Sequence, residues 1–197
     1  MQQTIIALGR QVGSGGHRIA RMLARRLDLP LYDKKLITEI AAQNHLDPKL
    51  VAQHEEAPKN RLFSRTVRGL NNSFEAGLAQ LQFRFLEEKA DEGGSFLVLG
   101  RCAEYILRDR PGLISLFVCR DLEERVRIIQ QAQDLSPEEA LDFINKGDKR
   151  RADYHSEHCP TLWGHSETYD LTINTSRLGL EGTADFLEEY IRWRMVP

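Results

Sequence analysis

A glycine-rich turn between an apolar segment and an amphipathic one constrains the fold more than any other feature of the sequence. Residues 4–8 read TIIAL, which is short, apolar and rich in β-branched side chains, as a buried parallel strand is. Residues 9–20 read GRQVGSGGHRIA, and the apolar side chains between Ile19 and Leu29 recur on one helical face. A strand, a glycine turn and a helix in this order predict the first unit of an α/β fold.

The same alternation continues along the chain. Further buried strands are predicted over 29–32, 96–99, 113–119 and 171–173, with helices over 101–108, 122–133 and 181–194 and another that Ser136 and Pro137 begin. Apolar strands alternating with helices predict a three-layer fold with a parallel sheet of about five strands. The segment 33–92 shows no convincing strand, so we expect it to form a helical insertion.

Composition narrows the class of protein. The 197 residues, 41% hydrophobic and 28% charged, predict a single globular domain over 1–197. A formal charge of −2 argues against a general nucleic-acid partner. Three scattered cysteines, no signal-peptide pattern and no run of about 20 apolar residues predict a cytoplasmic protein without a membrane partner. The oligomeric state is not predicted by the sequence.

The glycine turn is suited to hold phosphate. Backbone N–H groups and the positive end of the following helix attract an anion there, whereas the alternative is a tight turn that needs glycine for its backbone angles alone. We favour the phosphate interpretation, which makes the nucleotide-binding residues Gly9, Arg10, Gly13, Ser14, Gly15, Gly16 and His17.

Short-chain dehydrogenases offer one interpretation of this loop. Their spacing is matched by Gly9, Gly13 and Gly15, and Asp33 lies where a ribose-binding acid is expected. Those enzymes act through a tyrosine followed four residues later by a lysine, and none of the tyrosines here has that lysine. The dehydrogenase interpretation therefore lacks its chemistry.

A second resemblance extends well beyond the loop. Residues 13–16 resemble the end of a Walker A loop, and matching stretches follow: LPLYDKKLI at 29–37, VLGRCAEYILRD at 98–109, DKRRADYH at 148–155 and YDLTINTSRLGLE at 169–181. On these stretches, residues 1–190 resemble the cytidylate kinase-like family, relatives of the nucleoside monophosphate kinases. The resemblance implies a P-loop kinase-like core, a monophosphate-binding insertion over 33–92, a lid over about 136–168, and ATP with Mg²⁺ as the phosphate donor.

The loop departs from the Walker pattern at the positions that carry charge. Gly16 stands at the lysine position, Arg18 at the magnesium-binding hydroxyl, and Arg10 at the first glycine. Leu99 stands where cytidylate kinases carry an aspartate before Gly-Arg. Two functions therefore remain open: a phosphotransferase acting on a nucleoside monophosphate, with CMP favoured, or a catalytically silent nucleotide-binding regulator.

Other residues of the sequence carry charges that compensate for the groups missing from the loop. Arg10, His17 and Arg18 supply cations near the loop, and Asp33 supplies a carboxylate for the metal. We place Arg18 among the catalytic candidates on this ground.

The resemblance also implies the remaining roles. Arg101 contacts the acceptor's phosphate, where a guanidinium pairs bidentately with phosphate oxygens, and Asp33 faces the acceptor with it. Arg150 and Arg151 belong to the lid and clamp the transferring phosphoryl group, although a basic run alone is more typical of a solvated face.

Three other groups carry weaker signals. His155, His158, Cys159 and His165 match no standard spacing of zinc ligands, so zinc is not expected. Arg61, Arg65 and Arg68 share one helical face, for which the solvated alternative is favoured. Trp163 and Tyr169 are assigned only a packing role.

Overall fold

The computed structural model describes residues 3–33, 40, 66–67, 70–71 and 74–195. The described strands are β1 (Ile5–Arg10), β2 (Leu31–Tyr32), β3 (Thr66–Val67), β4 (Leu70–Asn71), β5 (Phe96–Leu99), β6 (Leu113–Cys119) and β7 (Leu171–Asn174). The α-helices are α1 (Gly16–Arg26), α2 (Phe74–Asp91), α3 (Ala103–Ile106), α4 (Leu122–Gln133), α5 (Pro137–His158) and α6 (Thr175–Met195), with a 3₁₀ turn at Ser166–Thr168.

Five parallel strands form one sheet in the order β2-β5-β1-β6-β7. β1 lies at its centre, where Ile5 pairs with Phe96 on one side and with Leu113 on the other. All these strand ends therefore point the same way, and the glycine loop leaves the sheet at its carboxyl edge. The predicted three-layer α/β fold is confirmed.

Successive side chains of β1 enter cores on opposite faces of the sheet, because the side-chain period of a strand is two. Ile5 and Ala7 pack into a core with residues of α2 and α3. Ile6 and Leu8 pack into a second core with residues of α1 and α6. Burial on both faces explains why this strand is apolar without alternation.

The segment 33–92 differs from its prediction. β3 and β4 pair antiparallel within it, so the expectation of a wholly helical segment is wrong at Thr66–Val67 and Leu70–Asn71. The helix α2 agrees with the expectation. The remaining interpretation of the insertion, and that of Arg61, Arg65 and Arg68, falls outside the described residues.

The start of α5 is set by its sequence as predicted. The Ser136 hydroxyl accepts a hydrogen bond from the Glu139 amide at 3.3 Å, and the Glu139 carboxylate accepts one from the Ser136 amide at 2.9 Å. Pro137 occupies the first helical position, where its missing N–H costs nothing. Among the helices in the described ranges, none combines the length and apolarity needed to cross a bilayer.

Candidate functional site

The turn after β5 has an unusual backbone. Gly100, Arg101 and Cys102 have φ angles of 77°, 66° and 56°, and the helix predicted from residue 101 begins only at Ala103. Left-handed conformations cost about 1–3 kcal/mol at residues other than glycine, so the surrounding contacts must hold this turn. The turn places the Arg101 side chain in the interior, where it is 5% exposed.

Arg101 lines a recess at the carboxyl edge of the sheet. Arg10 from the end of β1 and Arg151 from α5 line the same recess, so three guanidinium-bearing residues from three elements converge there. Gly9 and Gly100 form part of its wall. Ligands of open α/β sheets bind at this edge, outside the carboxyl ends of the strands.

The electrostatics of the recess favour an anion. Burial is the main cause that lowers the pKa of Arg101 to about 10, and the charges of Arg10 and Arg151 contribute to the same shift. Arg151 is also held in place, since its Nη1 donates to the backbone oxygen of Arg10 at 3.1 Å. Mutually repelling cations fixed around one space are stabilised by a multiply charged anion, and a phosphoryl group fits that requirement.

Arg10 explains the missing lysine of the loop. A Cβ atom at Gly16 would lie 2.5 Å from Arg10 Cβ and 3.0 Å from Arg10 Cγ, so the side chain of Arg10 fills the space in which a residue at position 16 would begin. A side chain at position 16 and the present position of Arg10 are therefore sterically incompatible.

Other loop residues are required for packing. A Cβ at Gly9 would lie 2.7 Å from Phe117 Cδ2, and one at Gly15, whose φ is 83°, would collide with Leu180. The buried Ser14 hydroxyl donates to the backbone oxygen of Gln11 at 2.8 Å and accepts from the Gly16 amide at 3.3 Å. These contacts fix the shape of the loop, and they supply a reason for glycine that is independent of any ligand.

The predicted lid helix α5 is attached to the glycine loop. Asp148 Oδ1 accepts a hydrogen bond from the Val12 amide at 2.7 Å. The buried Arg125 donates from Nε to the Val12 oxygen at 2.7 Å and pairs with Asp148 through Nη2. Together with the bond from Arg151 to Arg10, this network holds α5 against the loop at two points.

Removing the carboxylate of this network is expected to destabilise the fold. Asp148→Ala leaves the Arg125 charge buried without its partner, and the cost of breaking a buried ion pair is about 3–5 kcal/mol. Urea unfolding measures the change. Asp142→Ala is the matched control on the same helix, because its exposed pair with Lys146 contributes at most about 1 kcal/mol. Equal losses in the two variants would contradict the account of the Arg125–Asp148 pair.

The basic residues of α5 lie in different surroundings. Lys146 and Lys149 form exposed ion pairs with Asp142 and Asp153, one helical turn away. Arg150 is exposed and lines a neighbouring groove together with Arg151, but only Arg151 also lines the recess. The shared role that the sequence assigned to the two arginines stays a prediction.

Arg18 lies away from the recess as well. It is exposed on α1 and is not among the residues that line the recess. Leu99, at the position of the kinase aspartate, is 4% exposed and packs in the core.

Asp33 is placed against His17, with 2.8 Å between Oδ2 and Nε2. It lines a cavity with Arg21 and Arg25, whereas Arg101 lines the recess, and the joint role of Asp33 and Arg101 as acceptor contacts stays a prediction. Mg²⁺ is bound in nucleotide sites by one or two carboxylates together with phosphates, and the Asp33 carboxylate, which follows β2 and contacts His17 of α1, fits that donor type.

The aromatic side of the recess was not predicted from the sequence. Trp163 and Tyr169 line it, and both rings pack on Phe117 with centroid separations of 5.3 and 4.9 Å. Gly164 permits this packing, because a Cβ there would lie 2.9 Å from Phe117 Cζ. No local pattern indicates the arrangement, since it depends on contact between β6 and the segment after α5.

A buried polar cluster adjoins the recess. His155 Nε2 lies 2.8 Å from Glu104 Oε1, and both side chains are at most 5% exposed. Burial opposes the charge on His155, but the neighbouring Cys159 and Glu104 outweigh it and raise the pKa of His155 to about 9. A hydrogen bond from Cys102, together with His155, lowers the pKa of Cys159 to about 6 against the effect of burial.

The chain is similar to one described protein family and to several solved structures. The profile of the cytidylate kinase-like family matches residues 5–177. Among curated proteins no match is found. The solved structure of an uncharacterized protein from Eubacterium ventriosum is 32% identical, with a TM-score of 0.76 over 96% of this chain and 99% of that one.

More distant structures show the fold alone. The shikimate kinase of Bacteroides thetaiotaomicron is 18% identical, with a TM-score of 0.57 over 96% of this chain and 98% of that one. The shikimate kinase of Acinetobacter baumannii, solved with shikimate, is 17% identical, with a TM-score of 0.54 over 99% and 96%. These neighbours agree with a P-loop kinase-type fold.

Proposed function

Because the chain belongs to the cytidylate kinase-like family, we propose that it is an ATP-dependent phosphotransferase whose acceptor already carries a phosphate. A nucleoside monophosphate is the acceptor class, and CMP is the first candidate. The observation that supports this function is the convergence of Arg10, Arg101 and Arg151 on one recess beside the glycine loop. The dehydrogenase interpretation is set aside, since the family is kinase-like.

Phosphoryl transfer depends mainly on positioning and on stabilising charge, and the described residues divide these tasks. The loop over residues 9–16 holds the donor's phosphates against the start of α1, and Arg10 supplies the charge that a loop lysine brings elsewhere. Arg101 holds the acceptor's phosphate, and Arg151 donates to the phosphoryl group between the two nucleotides. Asp33 would hold Mg²⁺ together with the donor's phosphates, and the ion would neutralise charge on those phosphates.

The aromatic side of the recess suits a nucleotide acceptor. Trp163 is half-buried beside the arginines, and its indole offers a flat face on which a base stacks. Stacking tolerates any base, so it supports the nucleotide class without selecting cytosine.

A phosphotransfer assay tests the proposal directly. ATP, Mg²⁺ and a panel of nucleoside monophosphates are incubated with the protein, and ADP release is coupled to an optical readout. Turnover with at least one monophosphate is expected, and CMP is expected to be the best of the panel. Tight ATP binding without turnover of any acceptor would support the second candidate, a nucleotide-binding regulator, which the Gly16 and Leu99 substitutions favour.

Arg101→Lys is expected to weaken acceptor binding by about 1–3 kcal/mol, because one ammonium group does not reproduce a bidentate guanidinium–phosphate pair. ATP affinity is expected to stay nearly constant. Calorimetry with each nucleotide measures both. Arg108→Lys is the control, since Arg108 is half-exposed and stacks on Tyr105 with 4.2 Å between the guanidinium carbon and the ring centroid. Equal losses for donor and acceptor would show that Arg101 supports the loop as a whole.

A further inference from the structure

The buried cluster beside the recess has the composition of a metal site. Glu104, His155 and Cys159 each offer one ligand atom, and these atoms all lie within 4.8 Å of one another. The three residues are 8%, 3% and 6% exposed. Within the part of the chain that the structure describes, His155 Nδ1 is buried and has no hydrogen-bond partner. Because Nε2 faces Glu104, a metal ion between the two side chains would take Nε2 and the carboxylate together, in place of the hydrogen bond between them.

We propose that Glu104, His155 and Cys159 bind one divalent metal ion of the zinc class, with the Cys102 thiol as the fourth ligand. Zinc takes oxygen, nitrogen and sulfur donors at about 2.0–2.3 Å in a tetrahedron, so small side-chain rotations bring the three atoms to bonding distance. Sulfur and imidazole ligands select zinc over magnesium. Cys102 packs in the same buried cluster as Cys159, which makes its thiol the neighbouring sulfur donor.

The ligands come from two segments that the site would join. Cys102 and Glu104 belong to the left-handed turn after β5 and the helix that follows it, while His155 and Cys159 lie at the end of α5. The metal would therefore hold the strained turn that carries Arg101 against the helix that carries Arg151. His155 and Cys159 are one helical turn apart, and their partner Glu104 is distant in sequence, which is why local spacing gave no zinc signal.

Metal binding to the full-length protein tests the proposal without reference to activity. Chelator-treated protein is titrated with Zn²⁺ against a competing indicator dye, and one ion per chain is expected with a Kd below the micromolar range. A hundredfold excess of Zn²⁺ over Kd is expected to raise Tm by about 5–10 °C. Cys159→Ser and His155→Ala are each expected to weaken binding by about 100-fold or more, exceeding the loss for an outer-shell partner.

Two controls lie outside the cluster. Cys119→Ser removes a thiol that donates to the Ile173 oxygen, and His165→Asn removes an exposed imidazole; neither is expected to change zinc affinity. Uptake by Cys159→Ser equal to that of the wild type would overturn the proposal. If that variant does not fold, the absorption spectrum of the cobalt-substituted wild type tests the site instead. A thiolate-to-cobalt charge-transfer band with tetrahedral d–d bands supports the site, and its absence overturns it.

Discussion

Arg151→Ala is expected to lower kcat by about 10²-fold or more, whereas Arg150→Ala is expected to leave kcat within about threefold of the wild type. The two arginines are adjacent in sequence and carry the same charge. Comparing the two variants therefore distinguishes an effect of the residue's position from an effect of net charge. Arg151 lines both the recess and the neighbouring groove, whereas Arg150 lines the groove alone. On the proposed function Arg151 donates to the transferring phosphoryl group, and removing one such donor has an effect of this size.

Steady-state kinetics at saturating ATP, with urea unfolding of each variant, measure this difference. Arg151→Ala also loses one hydrogen bond to the Arg10 oxygen, which contributes about 0.5–1.5 kcal/mol to stability. A kcat loss in Arg151→Ala that only matches its loss of folded protein would show a structural role. Similar kcat losses in both variants would show that the basic residues of α5 act through their summed charge and not through a direct contact.

Gly16→Lys, which restores the lysine of the Walker pattern, is expected to abolish ATP binding. The new Cβ meets Arg10 Cβ at 2.5 Å, so the loop or Arg10 must shift, and overpacking of this kind costs about 1–3 kcal/mol. Arg10→Gly alone is expected to lose ATP affinity as well, because it removes the cation. The double variant, Arg10→Gly with Gly16→Lys, is expected to regain at least tenfold in affinity over either single variant.

Calorimetric ATP titration of the four proteins forms a double-mutant cycle, and its coupling free energy measures the exchange of one cation for another. Gly77→Lys is the control for a lysine replacing a helical glycine, because a Cβ at exposed Gly77 has no atom within 4 Å. Tight ATP binding by Gly16→Lys alone would contradict the packing account of the missing lysine. Additive losses in the double variant would show that Arg10 does not replace the lysine.

Local features of the sequence predicted the fold correctly. The apolar run before Gly9 identified the central strand, and the Ser136–Glu139 capping box identified the start of α5. Parallel topology followed from the alternation of buried strands and helices. These signals need only neighbouring residues, because burial period and capping act within a few positions of the chain.

The candidate site depends on contacts between distant segments of the chain, and no local sequence pattern reveals those contacts. That Arg10 occupies the space beside Gly16 is a matter of side-chain direction in a folded loop. The different surroundings of Arg150 and Arg151 follow from how α5 packs, and Asp148 sets that packing through Val12. Resemblance assigned one role to Arg150 and Arg151, but it did not indicate that only Arg151 also lines the recess.

The central place of β1 has a consequence for how the chain folds during synthesis. Ile5 is translated before either of its sheet partners, Phe96 and Leu113, so the central strand leaves the ribosome with no strand to pair with. Closing such long loops slows folding, and an unpaired apolar strand exposes a surface that favours aggregation. β1 has a partner strand on both sides only after β6 has emerged, and the arginine recess is completed later still, when α5 supplies Arg151.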